Sequence, residues 1–324
     1  MARYLITGIA GFIGSTLAHR LVEEGHDVSG IDNLSTGSLE NLDDIRSAIK
    51  FEKTDLRDAE GLRAACKGVE FVLHQGAVAS VPRSVKDPQG SHDSNVNGTL
   101  NLLMAARDAG VRRIVYAASS SAYGDQPTQP KHEEMLPSPL SPYAVQKLTC
   151  EYYIQSFYHS YGLEGVCLRY FNIFGPHQAA DSPYSGVIAQ FIFKMMEGTT
   201  PTIFGDGLTS RDFTFVDNAV NANLLACQAP SAVASGRVFN VGTGKSRTLN
   251  EVYEGIASAL GFKPPPLYGP ERVGDVKHSL ASIERAQKEL GYVPRADFQQ
   301  GLEKTVAWYL SEHRKGQEVL SSKF

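Results

Sequence analysis

A short apolar run, Tyr4-Leu5-Ile6-Thr7, ends directly in glycines at positions 8, 11 and 14, and no other feature limits the fold so strongly. The spacing G-x-x-G-x-x-G lies between a strand pattern and a helical pattern, Phe12 to Glu24. It lets the chain turn tightly, bring bare backbone up to a ligand, and pack helix closely on strand. Gly25 ends the helix, and Asp27 to Ile31 reads as a second strand closing on Asp32. Further strands are expected at Phe51 to Thr54, Phe71 to Leu73, Arg113 to Ala118 and Gly165 to Tyr170. Helices are expected at Leu62 to Cys66, Asn95 to Ala109 and Pro142 to Tyr161. Strands alternating with helices imply crossover connections and a parallel sheet. Strands that are apolar throughout imply helices on both faces. The expected class is α/β with a doubly wound parallel sheet.

After Asn172 the texture changes. Gly, Pro, His and Ser crowd Gly175 to Gly186, and short strand and helix patterns then mix. Residues 1–172 therefore read as one domain, to which a later segment, roughly 213–242, returns. Residues 173–324 read mainly as a smaller α+β domain over the C-terminal edge of the sheet. The net charge of -4 gives no electrostatic support to a nucleic-acid or membrane partner. No apolar run approaches the ~20 residues of a membrane span, and Tyr4-Leu5-Ile6 is too short for a signal peptide. The four cysteines are widely spaced, as expected for reduced interior thiols in a cytoplasmic protein, with neither a disulfide nor a metal role.

A strand, a glycine turn and a helix N-terminus together suit a pyrophosphate, placing Gly8, Gly11, Phe12, Ile13 and Gly14 around a dinucleotide. Asp32 ends the second strand, where a carboxylate accepts from ribose hydroxyls and repels a 2'-phosphate. NAD is thus favoured over NADP, with Asn33 alongside; the alternative for Asp32 is a turn cap. Asp55 and Leu56 would flank adenine, unless Asp55 caps the helix that starts near Asp58. Gln75, Gly76 and Ala77 would offer backbone to the cofactor, with Asn95 fixing that loop and Tyr170 ending the sixth strand beside it. Tyr143 and Lys147 are four apart, so they share a helix face. There an ammonium would favour the phenolate and make Tyr143 a general base. Ser119, at the end of the fifth strand, would converge on them.

These motifs resemble the extended short-chain dehydrogenase/reductase family, in particular nucleotide-sugar epimerases and dehydratases, over nearly the whole chain. The marks are Thr7-Gly8-x-x-Gly11-x-x-Gly14, Asp55-Leu56, Asn95-Val96-Asn97-Gly98-Thr99, Ser119 before Tyr123-Gly124, and Ser141-Pro142-Tyr143-x-x-x-Lys147. Further along are Arg169-Tyr170-Phe171-Asn172, Arg211-Asp212-Phe213, Asn240-Val241-Gly242 and Arg272-x-Gly274-Asp275. The resemblance implies a Rossmann-type sheet, bound NAD, and a Tyr143 phenolate that takes the sugar 4-OH proton while C4 gives up hydride. Dehydratases of this kind carry Asp-Glu just after the catalytic Ser or Thr, and decarboxylases a Glu two residues before the Tyr-Gly tyrosine. Ser120 and Ser121 stand there instead, which favours simple C4 inversion.

The resemblance also implies substrate contacts at Ser80, Arg83, Ser120, Ser121, Asn172, Gly186 and Val187. Thr202 and Phe204 would lie by the base, Arg211 and Arg272 would clamp the diphosphate, and Asp275 would hold a ribose. Ser279 stands where epimerases restricted to plain hexoses often have Tyr, so it would leave space for an N-acetyl group; otherwise it is a solvent-side helix cap. The resemblance is nearest to bacterial UDP-N-acetylglucosamine 4-epimerases. It implies UDP-N-acetylhexosamine and UDP-hexose substrates and a homodimer. A UDP-glucuronate 4-epimerase or decarboxylase, or an inactive NAD-binding protein, remains the alternative.

Overall fold

Strands, most of them buried, and helices follow one another through the first half of the chain. They are β1 (Arg3–Thr7), α1 (Phe12–Glu23), β2 (Asp27–Asp32), β3 (Ile49–Lys53), α2 (Ala59–Ala65) and β4 (Phe71–His74). Then come α3 (Val81–Lys86), α4 (Pro88–His92), α5 (Gly98–Asp108), β5 (Arg113–Ser119), α6 (Pro142–Tyr161) and β6 (Glu164–Tyr170). The computed structural model describes residues 1–179, 186–271 and 276–321.

A later strand, Arg237–Val241, pairs in parallel with β6 and completes a seven-stranded Rossmann-type sheet, followed by β5, β4, β1, β2 and β3. Thr7 pairs with both Ile31 and His74, and Ser119 with Tyr170, so these strands end along one edge. The strand order reverses between β1 and β4, which is where an open sheet forms a crevice.

Both faces of the sheet are covered, which explains strands that are apolar on successive residues. On one face Leu17 and Leu21 of α1 and Val220 of helix Val216–Gln228 pack on Ile6, Leu73 and Phe239. On the other, Leu102 and Leu103 of α5 and Cys150 and Ile154 of α6 pack on Leu5, Val72 and Ile114. Each fully buried Leu or Ile contributes roughly 1.5–3 kcal/mol. A third cluster, including Phe174, Ile192, Val252 and Leu302, joins helices Val187–Met196, Leu249–Leu260 and Phe298–Ser321.

Some local structure departs from the sequence pattern. The helix expected from Asn95 begins as a π-helical turn, Asp93–Asn97, before α5. A 3-10 run, Leu39–Ala48, fills the segment before β3, and β3 starts at Ile49 opposite Val28. Strands Ser210–Arg211 and His278–Ser279 have two residues each and exist because they pair in parallel, Ser279 opposite Arg211. No helix among the described residues is long and apolar enough to cross a membrane.

Candidate active site

The carboxyl edge of the sheet opens into a cleft of about 1190 Å³, with Gly8, Gly11, Phe12, Ile13 and Gly14 along its floor. Gly8 has φ +68, and a Cβ added there would meet Gly76 Cα at 2.8 Å. A Cβ on Gly14 would collide with the Gly8 carbonyl. The floor is therefore bare backbone that side chains would fill. Gly11 caps α1 without a side-chain hydrogen bond, so the positive end of that helix faces the cleft. This cradle fits a dinucleotide pyrophosphate.

Asp32 lies at the end of β2 beside the glycines, accepting from Ala10 N at 3.0 Å and Leu34 N at 2.8 Å. Burial raises its pKa, and those two backbone bonds oppose the rise. Each carboxylate oxygen can accept more than one bond, so both remain able to take ribose hydroxyls. Asn33, Asp55, Leu56, Gln75, Gly76, Ala77 and Tyr170 also line the cleft. Asp55 is not the cap of α2: Asp58 is, accepting from Glu60 N and Gly61 N. Asp55 instead binds the Arg57 guanidinium and the Asn33 amide, which hold its carboxyl well below the usual range, Arg57 most strongly.

Asn95 does not reach the cleft wall. It is buried, with Oδ1 accepting from Val78 N at 2.7 Å and Nδ2 donating to Gln146 Oε1 at 2.8 Å. It holds the loop after Ala77. Ser80 is likewise a cap, accepting from Arg83 N at the start of α3, and is absent from the lining.

Helix α6 starts where its sequence says it should. Ser141 accepts from Ala144 N, Pro142 occupies the first turn, and Gly162 closes the helix at φ +73. Tyr143 and Lys147 thereby enter the cleft on one face, with Ser119 at the end of β5. The Ser119 hydroxyl accepts from Ser121 Oγ at 2.8 Å and lies close enough to the Tyr143 phenol to lower its pKa. Lys147 Nζ donates to the Ala117 carbonyl at 2.8 Å. Burial pulls the ammonium down to about 8, against the opposing pull of Cys150 and Glu151.

The expectation that Lys147 holds the phenol low needs correcting. Burial raises Tyr143 above its ordinary value, and the Ser119 bond is what lowers it in part. Lys147 Nζ bonds the Ala117 carbonyl and not the phenol, so its charge acts on Tyr143 through space.

On the sugar side, Arg83, Ser120, Ser121, Asn172, Arg211 and Ser279 line the same cleft. Ser279 lies in a strand and is not a helix cap. A smaller cavity of about 240 Å³ adjoins it, lined by Asn172, Gly186, Val187, Thr202, Phe204 and Arg211. Asn172 sits at φ 37 and touches both cavities. Arg272 and Asp275 lie outside the described residues.

Two lining residues carried no sequence signal. Lys131 is 2% exposed, a cation in a Pro-rich loop whose burial depends on Leu280 and Ser282 bonding its backbone. Gln178 lines both cavities, and its Oε1 is buried without a protein partner among the described residues. No group of metal-binding side chains occurs among the described residues.

Residues 4–242 match the family described as NAD dependent epimerase/dehydratase. A UDP-glucose 4-epimerase of Mycolicibacterium smegmatis is 41% identical over 312 residues, spanning 95% of this chain and 98% of the relative. A UDP-glucuronate 4-epimerase of Thermodesulfobacterium geofontis is 34% identical over 95% of this chain and 96% of its own length. The solved structure of a UDP-N-acetylglucosamine 4-epimerase from Methanobrevibacter ruminantium, in complex with UDP-N-acetylmuramic acid, aligns with a TM-score of 0.91. It is 39% identical, over 96% of this chain and 99% of that one.

Proposed function

The chain belongs to the NAD dependent epimerase/dehydratase family and is a UDP-sugar 4-epimerase, and we propose that it interconverts UDP-GlcNAc and UDP-GalNAc, with UDP-Glc and UDP-Gal as further substrates. Ser279 carries this reading. Its small side chain lines the larger cleft, paired with Arg211, and would leave room for an acetamido group. Gln178 Oε1 supports it as a buried acceptor that an amide N–H or sugar hydroxyl would satisfy.

The cofactor would lie on Gly8, Gly11 and Gly14, with Asp32 at its ribose and Asp55 and Leu56 near adenine. When bound, NAD+ accepts and returns a hydride, so the cycle has no net redox change. Tyr143 takes the 4-OH proton and later gives it back, with Ser119 stabilising the phenolate by donating to it. Lys147 supplies positive charge beneath the pair. Arg211 and Asn172 would hold the diphosphate side. Ser120 and Ser121, lacking carboxylates, offer no acid or base for elimination. Exposed apolar residues on α5 and α6 (Met104, Val145 and Tyr152) support a homodimer through these helices.

Incubation with UDP-GlcNAc and UDP-Glc side by side, with products resolved by chromatography or NMR, tests the reading. C4 inversion of UDP-GlcNAc is expected; inversion of neither sugar would overturn it. The 34% identical UDP-glucuronate 4-epimerase and the presence of Arg83 and Lys131 in the cleft favour a uronate as the second reading. A UDP-glucuronate arm separates the two.

A further inference from the structure

Beneath the cofactor cleft, His74 is fully enclosed between two hydroxyls. Its Nδ1 lies 2.7 Å from Thr7 Oγ1 and its Nε2 lies 2.9 Å from Thr99 Oγ1. Thr99 Oγ1 donates to the Asn95 carbonyl at 2.5 Å, which can only accept. The single Thr99 proton is thereby used, so Thr99 must accept from His74 Nε2–H. In a neutral ring Nδ1 is then an acceptor, and it takes the Thr7 hydroxyl proton. Thr7 Oγ1 in turn accepts from Gly76 N at 3.1 Å.

Every donor in this line has one acceptor. It runs Gly76 N–H to Thr7, Thr7 to His74, His74 to Thr99, and Thr99 to Asn95. The far end continues through Asn95 to Gln146, the residue before Lys147 on α6. The near end sets the contact between Gly8 and Gly76, the backbones that form the cleft floor.

We propose that His74, fixed as the neutral Nε2–H tautomer, is a positioning residue that holds the cofactor-binding turns of β1 and β4 in register. It lines neither cavity and acts through Thr7 and Thr99. Burial, with help from the Lys147 charge, depresses the imidazole to about 3, so it stays neutral throughout the working range. The bond directions therefore do not switch with pH. A π-helical turn at Asp93–Asn97 aims Asn95 inward at the end of the line.

The test is 15N NMR of histidine-labelled full-length protein, joined to NAD+ affinity by equilibrium dialysis. Wild-type His74 should give the signature of a neutral ring protonated on Nε2 from pH 6 to 8. Thr7→Val keeps the side-chain shape and removes the hydroxyl; it should weaken NAD+ binding by about ten-fold, whereas Thr7→Ser should stay within about two-fold. An Nδ1-protonated or charged His74 in the wild type would overturn the proposal, as would wild-type NAD+ affinity in Thr7→Val. If Thr7→Val does not fold, the wild-type spectrum still decides. Both readouts need no sugar, so their outcome is independent of the substrate reading.

Discussion

Lys147 sits one turn after Tyr143 on α6, its ammonium 6.0 Å from the centre of the tyrosine ring and bonded to the Ala117 carbonyl instead. The phenol's direct partner is Ser119, whose bond lowers a pKa that burial has raised. Burial therefore works against the phenolate, and the ability of Tyr143 to accept the sugar proton grows as pH rises. Ser119→Ala removes the lowering bond, so the pKa moves further up. The pH profile of kcat should shift to the alkaline side, with the largest loss at neutral pH. An unshifted profile would show that Ser119 does not tune the base.

Tyr143→Phe removes the phenol oxygen proposed to take the 4-OH proton and leaves the ring in place. The expected loss in kcat is about 10²–10⁴-fold. NAD+ binding, proposed to rest on the glycine floor and Asp32, should be retained. Steady-state kinetics alongside NAD+ titration separates the two effects, and normal turnover in this variant would contradict the assigned role.

Ser279→Tyr narrows the cleft beside Arg211. The expected result is a drop of about ten-fold or more in kcat/KM for UDP-GlcNAc with a smaller change for UDP-Glc, because steric exclusion acts on the larger substituent. Equal losses on both sugars would mean that Ser279 does not face the 2-substituent.

Arg113 is fully buried at the start of β5 and binds the end of helix Val216–Gln228. Its Nη1 donates to the carbonyls of Ala226, Cys227 and Ala229 at 2.6, 3.0 and 2.7 Å, and its Nε to Glu164 at 2.8 Å. These are helix-end carbonyls with no partner inside the helix. Arg113→Met leaves them and Glu164 uncompensated and should cost about 3–5 kcal/mol in urea unfolding. A change below about 1 kcal/mol would show that water replaces the guanidinium there.

Much of this architecture is visible in local patterns. Gly8 and Gly14 announce a turn because a Cβ at either would strike neighbouring backbone. Ser141, Pro142 and Gly162 bound α6 through capping rules that act within a few residues. What is not visible depends on distant partners. Strands Ser210–Arg211 and His278–Ser279 are too short to have a pattern and form by pairing with each other. Lys131 looks like a solvated loop residue until Leu280 and Ser282 clasp its backbone. Asn95 and Ser80 have the right chemistry for ligands, but Asn95 is engaged by Val78 and Gln146, and Ser80 accepts from Arg83 N as a helix cap outside the cleft lining. The sign of the Tyr143 shift was equally hidden, since burial of the phenol depends on the packed cleft and not on its spacing from Lys147.

The central claim is inversion at C4 through transient oxidation, with the same hydrogen returned to the opposite face. UDP-GlcNAc carrying deuterium at C4 tests it most directly, with the product analysed by NMR and mass spectrometry after turnover in ordinary water. The expected product is UDP-GalNAc that keeps its deuterium at C4, with no accumulation of reduced cofactor. Loss of the deuterium to solvent, or no inversion at C4, would contradict the account.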